Sequence, residues 1–299
     1  MLTFTNSHLM LGEFDYVEPS SLDEACDLLA EHAGDARLLA GGTDLLVQMK
    51  LERAEGRYLI GLRRLRELGR ITTGDGLVLG ACATIRRIAR SDLVRGRYAA
   101  LQEACDAFST MQVMVMGTVG GNVCNASPAA DTAPALLAFD GRARLRGRRG
   151  ERWVPLDEFF VAPGRTVLRG DELLESLHLA PLTADTGSAF LKLGRVAADI
   201  AKVSVAVRLD RDGDRIQDCR IALGAVAPTP MRTRNAERVL AGQAPRAALV
   251  KEAARAAAEE IRPITDVRSS AAYRRHVAGV LVEDAVARAW VRAGGKEIA

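Results

Sequence analysis

The sequence predicts an α+β protein, and three observations carry that prediction. ITTGDGLVLGA at 71–81 and GRARLRGRRGERW at 141–153 alternate about glycine-bearing turns, as β-hairpins do. AFLKLG, AKVSVAVRLD and RIQDCRIALGAVAP, between 189 and 228, alternate well enough for an antiparallel sheet of three strands. Beyond residue 231 the composition turns alanine-rich with helical spacing.

The remaining elements follow in chain order. Ser21-Leu22-Asp23-Glu24 has the spacing of a capping box, and Leu22, Ala25, Leu28 and Leu29 mark one face of the helix it opens. Residues 37–40 read as a short buried strand, 45–49 as a turn of helix or an extended segment, and 58–60 as another strand. Thr84 is placed to cap a helix over 85–89. Ser127-Pro128 suits an N-cap and first-turn pair, with Asp131 in that first turn or itself a cap. Residues 231–240, 249–261 and 269–292 read as helices, and Tyr273, Val277, Val280 and Leu281 as a core stripe on the last. Turn residues near 181–187 mark a boundary between a unit over 1–182, itself split near 60–65, and a unit over 183–299 with the three-stranded sheet and its helices.

Composition narrows the function. The chain has 299 residues, a length suited to about two domains, with 48% hydrophobic and 26% charged residues. A net charge of +3 and 4% aromatics argue against nucleic acid or a membrane surface as partner. Cys26, Cys82, Cys105, Cys124 and Cys219 form no C-x-x-C, so no zinc or iron–sulfur loop is expected. His8, His32, His178 and His276 have no metal-ligand spacing and read as surface or cap residues. The start lacks the pattern of a secretory signal, and no run reaches the ~18 apolar residues of a membrane helix, so a reducing cytoplasm is expected.

Two glycine pairs carry the candidate chemistry. LLAGGTDLLVQMK, at 38–50, stops an apolar run at Gly41-Gly42 and follows it with Thr43 and Asp44. GTVGGNVCNASPAADTAPALLAFD, at 117–140, repeats the device at Gly120-Gly121, with Asn122, Asn125, Ser127 and Asp131 clustered after it. Such a loop is either a tight strand-to-helix turn or a nest of main-chain N–H groups for an anion, and two of them facing the same diphosphate would point to a cofactor. Neither matches G-x-G-x-x-G or a P-loop. The arginine-rich hairpin reads as solvated, with docking of an acidic partner or a nucleotide as the alternative.

These two segments resemble the FAD-binding loops of the medium, flavin-carrying subunit of molybdenum hydroxylases, the group of xanthine dehydrogenase and carbon monoxide dehydrogenase. FFVAPGRTVLRGDELLESL, FLKLGRVAADIAKVSVAV, GAVAPTPMRTRNAERVLAG and PITDVRSSAAYRRHV are similar to family segments in family order, so the likeness covers nearly the whole chain beyond its first ten or so residues. The resemblance implies a two-subdomain FAD-binding region, then a small antiparallel-sheet domain with C-terminal helices, and FAD held without a covalent bond. It assigns Leu38, Leu39, Ala40, Gly41, Gly42, Thr43, Asp44 and Leu45 to the first pyrophosphate loop. Gly117, Thr118, Val119, Gly120, Gly121 and Asn122 fall in the second. Ser127 can add a neutral hydrogen bond, Asp131 matches an acid on the adenosine side, and Phe108, Leu174 and Lys192 match residues lining flavin or adenine. A lysine there would favour the reduced, anionic ring.

The implied function is an oxidoreductase subunit that takes electrons from an iron–sulfur partner and passes them to NAD⁺, a quinone or O₂. The implied partners are a molybdopterin-binding large subunit and a two-iron two-sulfur small subunit, in an assembly that can double to a dimer of heterotrimers. One departure stands out: a polar Q-I-R-N-like run of the family is Gln112-Val113-Met114-Val115-Met116 here. That change supports a second reading, a free-standing flavin oxidase or dehydrogenase, and a cofactor-free scaffold is a third.

Overall fold

The computed structural model describes residues 13–298; His8 and the N-terminal extension lie outside the described residues. The chain opens with strand β1 (Asp15–Val17), helix α1 (Leu22–Glu31), β2 (Ala36–Leu39), α2 (Leu45–Lys50) and β3 (Tyr58–Gly61). The three strands form a parallel sheet in the order β1-β3-β2. Ser21 caps α1, its Oγ accepting from the Glu24 N–H at 3.1 Å. The Glu24 carboxylate reaches one residue further back than a capping box requires and accepts from the Ser20 N–H at 2.7 Å. His32 follows α1 as its C-cap, with its ring stacked on Tyr58.

A hairpin of β4 (Ile71–Gly74) and β5 (Gly76–Gly80) begins the second sheet. Five helices follow: α3 (Ile85–Arg90), α4 (Ala99–Asp106), α5 (Met111–Met116), α6 (Val119–Cys124) and α7 (Thr132–Ala138). Thr84 caps α3 as expected, its Oγ1 accepting from the Arg87 N–H. Then come β6 (Arg142–Gly147), β7 (Gly150–Pro155), α8 (Leu156–Phe159), the small hairpin β8 (Phe160–Ala162) and β9 (Arg165–Thr166), and β10 (Glu172–Leu179). The sheet runs β4-β5-β10-β6-β7, antiparallel throughout. Its core holds Leu77, Leu79, Leu145 and Leu177 against Leu101, Leu136 and Phe139 from the helices, all buried.

Most arginines of the β6–β7 hairpin are neutralised within the chain, whereas Arg142 lies over the Trp153 ring. Arg144 pairs with Glu151 and Glu175, Arg146 with Asp23 and Glu175, Arg148 with Asp27, and Arg149 with Asp171. His178 departs from its surface reading: it is half-buried beside Trp153, within 3.0 Å of the Ser176 hydroxyl.

The third sheet comprises β11 (Thr186–Leu193), β12 (Val203–Asp212), β13 (Arg215–Gly224) and β14 (Met231–Arg232), in that order. It has four strands, not three, because Met231–Arg232, expected to begin a helix, pairs with Leu223 and Ala222 instead. The helix starts three residues later: α9 (Arg234–Leu240) is followed by α10 (Ala247–Glu260) and α11 (Ala271–Arg292). On α11 the buried stripe is Val277, Ala278, Val282, Ala285, Val286, Ala289 and Trp290, while Tyr273 and Val280 face outward. Val277 is buried as expected, but the stripe as a whole is rotated by about one residue, 100° on a helix, because Ala278, Ala285 and Ala289 share the contact with the larger side chains. Small residues let α11 lie close on β11: a Cβ on Gly187 would stand 1.9 Å from the Ala289 carbonyl oxygen. Arg274, only 3% exposed, donates to the Lys202 and Ala225 carbonyls and to Asp266, so its buried charge is paired.

Gly187→Ala is therefore expected to lower stability by about 1–3 kcal/mol through overpacking, measured by urea unfolding. Gly170→Ala, where an added Cβ meets nothing within 4 Å, serves as the control and is expected to stay within about 0.5 kcal/mol.

Candidate functional site

The first glycine pair leaves the carboxyl end of β2, the position where open parallel sheets bind ligands. The second wall is anchored from behind. Gly117 O accepts from Ile85 N, Val119 N donates to Ala83 O, and Gly120 N donates to Ala81 O. The two walls meet: a Cβ on Gly41 would stand 2.0 Å from the Met116 carbonyl oxygen, so only glycine allows this approach. Between them lies a cleft of about 290 Å³.

Most of the expected cofactor residues line this cleft. From the first wall come Leu38, Ala40, Gly41, Gly42, Thr43, Asp44 and Leu45. Phe108, Gly117, Thr118, Gly121 and Asn122 form the second. Leu39, Val119, Gly120, Ser127, Asp131, Leu174 and Lys192 do not line it. Leu39 packs towards Gly42, while Val119 and Leu174 belong to the core. Ser127 and Pro128 form a turn, not a helix start: Ser127 Oγ accepts from Ala129 N, its carbonyl accepts from Ala130 N, and α7 begins only at Thr132.

The second glycine pair is not a loop. Gly120 and Gly121 lie within the first turn of α6, with Thr118 as N-cap accepting from Gly121 N at 3.0 Å. Glycine's poor helix propensity hid this start, although a threonine directly before the run was a legible cap signal. The four glycines serve different ends. Gly41 admits the Met116 carbonyl, Gly42 holds φ at +73°, and Gly120 makes room for Ala81. Gly121 alone of the four would send a side chain past just one neighbour, the Thr118 hydroxyl at 2.9 Å, beside the cleft.

Neutral groups dominate the lining. Thr43 and Thr118 offer hydroxyls, and Asn122 is oriented by the Thr132 hydroxyl, which donates to its Oδ1 at 2.6 Å. Arg37 supplies a cation at the edge, its Nη1 donating to the Gly34 and Ala36 carbonyls. Cys124 also faces the cleft, but burial pushes its thiol up to about 12, so it is not a thiolate nucleophile. Gln48, Asn125 and Gly164 complete the residues absent from the expected set. Gln48 had a legible signal, since it falls four residues after Asp44 on one helix face; Gly164 arrives through the β8–β9 turn, a long-range contact without one.

Ala107, the residue before Phe108, contributes its carbonyl to a buried ion pair. Lys192 Nζ donates to Asp131 Oδ2 at 2.8 Å and to the Ala107 carbonyl at 2.8 Å, with the two side chains 5% and 9% exposed. Asp131 holds the N-cap position of α7 without capping it, because its carboxylate is turned to the lysine. Its Oδ1 is buried and has no partner. Burial pushes the Asp131 carboxyl up to about 6, against the opposing pull of Lys192. Among the described residues no histidine, cysteine or acidic cluster is arranged to hold a metal, and no helix is long and apolar enough to cross a membrane.

Comparison with known proteins places this arrangement. Residues 12–181 match the family of the FAD binding domain in molybdopterin dehydrogenase, and residues 188–289 match the CO dehydrogenase flavoprotein C-terminal domain. The carbon monoxide dehydrogenase medium chain of Hydrogenophaga pseudoflava is 35% identical over 280 residues, covering 93% of this chain and 98% of that one. The xanthine dehydrogenase FAD-binding subunit of Escherichia coli is 30% identical over 285 residues, covering 94% and 97%. A solved carbon monoxide dehydrogenase from Hydrogenophaga pseudoflava superposes with a TM-score of 0.92 at 36% identity, covering 95% of this chain and 99% of that one. The chain belongs to the FAD-binding medium subunits of the molybdenum hydroxylase family and is an oxidoreductase subunit that carries FAD.

Proposed function

We propose that this subunit transfers electrons within a molybdenum-containing hydroxylase or dehydrogenase, receiving them from a two-iron two-sulfur small subunit and passing them to NAD⁺, a quinone or O₂, while a molybdopterin-binding large subunit oxidises the substrate. The supporting observation is the cleft itself: glycine-lined main chain and neutral donors from two converging walls suit a diphosphate, and relatives named as a medium chain and an FAD-binding subunit support assigning the other centres to other chains. In this reading residues 1–182 form the FAD-binding part, the C-terminal unit begins at 183, and the complex is cytoplasmic.

Bound FAD supplies a carrier that exchanges one or two electrons. The residues of this chain hold and bias it. Main chain at Gly41, Gly42 and Thr43 would face the diphosphate, Gly121 would leave space beside it, Phe108 would bound the flavin side, and the Lys192–Asp131 pair would set the charge near Phe108. Purification of the native assembly is expected to bring down two further chains together with molybdenum and iron. A lone chain that turns over an organic substrate would contradict the proposal.

The glycine roles separate in two variants. Gly121→Val is expected to weaken FAD binding by tenfold or more, about 1.4 kcal/mol, with the fold retained. Gly41→Val is expected to lose FAD and stability together, because it drives the walls apart; flavin absorbance after gel filtration and thermal melts distinguish the two. The buried acid gives a pH signature. The Asp131 carboxyl binds its proton more tightly folded than unfolded, so its contribution is full below about pH 4 and is lost as pH rises through 6. The stability of the wild type relative to Asp131→Asn should fall by up to about 3 kcal/mol between about pH 4 and 7, read from urea midpoints across that range.

A further inference from the structure

Asp44 presents a difficulty for a diphosphate site. It lines the cleft next to the glycine pair, where an ionised carboxylate would repel a phosphate. It occupies the N-cap position of α2, yet its side chain makes no capping hydrogen bond. The carboxylate is bonded to Asn125 instead. Asn125 Nδ2 donates to Asp44 Oδ1 at 3.2 Å, and Asn125 Oδ1 accepts from Gln48 Nε2 at 3.0 Å. The chemistry fixes which way the amides point, since an ionised carboxylate only accepts and must face the NH₂ of Asn125, which leaves its oxygen for the NH₂ of Gln48. All three residues line the cleft, and the bridge joins the first wall to the end of α6.

Asn125 is itself held firmly. Its N–H donates to the Gly121 carbonyl at 2.9 Å, closing α6. The next residue, Ala126, is fully buried with φ of +46°, a conformation an alanine adopts only when its surroundings impose it. Ala126 O accepts from Gly164 N at 3.0 Å, which ties the turn to the β8–β9 hairpin. The amide is thus presented from a rigid corner, not from a free loop end.

We infer that Asn125 is a positioning residue for FAD: with Gln48 it draws the Asp44 carboxylate aside, so that the cleft accepts a diphosphate despite the acid on its wall. The inference rests on the FAD reading of this cleft. It differs from a general stabilising role in one respect, because the harm done by losing Asn125 comes from the charge of Asp44 and disappears when that charge is removed.

The test is titration of the deflavinated full-length chain with FAD, followed by flavin fluorescence, with thermal melts to confirm folding. Asn125→Ala is expected to bind FAD roughly tenfold more weakly, the scale of a lost hydrogen bond to a charged group. The double variant Asn125→Ala/Asp44→Asn is expected to return to within about twofold of Asp44→Asn alone, as the removal of a shared interaction predicts. If Asn125→Ala does not fold, Gln48→Leu removes the other half of the bridge and is expected to show a smaller loss with the same rescue. Unchanged affinity in Asn125→Ala, or a loss that Asp44→Asn fails to rescue, overturns the inference while leaving the cofactor assignment intact. A wild-type chain that does not take up FAD overturns both.

Discussion

The contact of Gly41 with the Met116 carbonyl is the constraint on which the site depends. Two segments more than seventy residues apart in sequence form one cleft only if their main chains touch, and any side chain at Gly41 forbids that. The contact joins a parallel three-stranded sheet to a helical layer built on an antiparallel one. Residues 117–120 are in turn fastened to residues 81–85 by main-chain hydrogen bonds, so the second wall is held by the connection between β5 and α3. Backbone, not side chains, fixes the cleft dimensions, which suits a ligand recognised through its phosphates.

The same logic recurs at the other end of the chain. Gly187 lets the carbonyl of Ala289 approach β11, and alanines form much of the buried face of α11. In both places the chain gives up side-chain burial to bring main chain close to main chain. The hydrophobic energy is recovered from clusters nearby, such as Val205, Val207, Leu209 and Ile221 in the C-terminal sheet.

Much of this was legible in the sequence where the signal is local. The hairpin at 71–80, the caps at Ser21 and Thr84, and the long C-terminal helix follow from turn chemistry, short-range hydrogen bonds and periodicity. The first glycine pair and its expected neighbours, Leu39 excepted, line one cleft. Illegible features depend on tertiary partners. Gly120 and Gly121 looked like a loop because glycine disfavours helix, and packing against Ala81 overrides that preference. Met231–Arg232 looked helical until paired with β13. Tyr273 and Val280 seemed to be core because apolar size was weighted above alanine's capacity for close approach. Asn125 belonged visibly to a polar cluster, but its partners sit 77 and 81 residues away, and no spacing rule encodes them.

Lys192 belongs to β11, whereas the two oxygens it grips, on Ala107 and Asp131, belong to the helical layer. Sliding the C-terminal sheet by even an ångström or two against those helices would strand an ammonium and a carboxylate in a dry interior, a penalty of several kcal/mol. The pair therefore works as a locating pin: the helical layer that carries Ala107 and Asp131 and the C-terminal sheet that carries Lys192 must travel together.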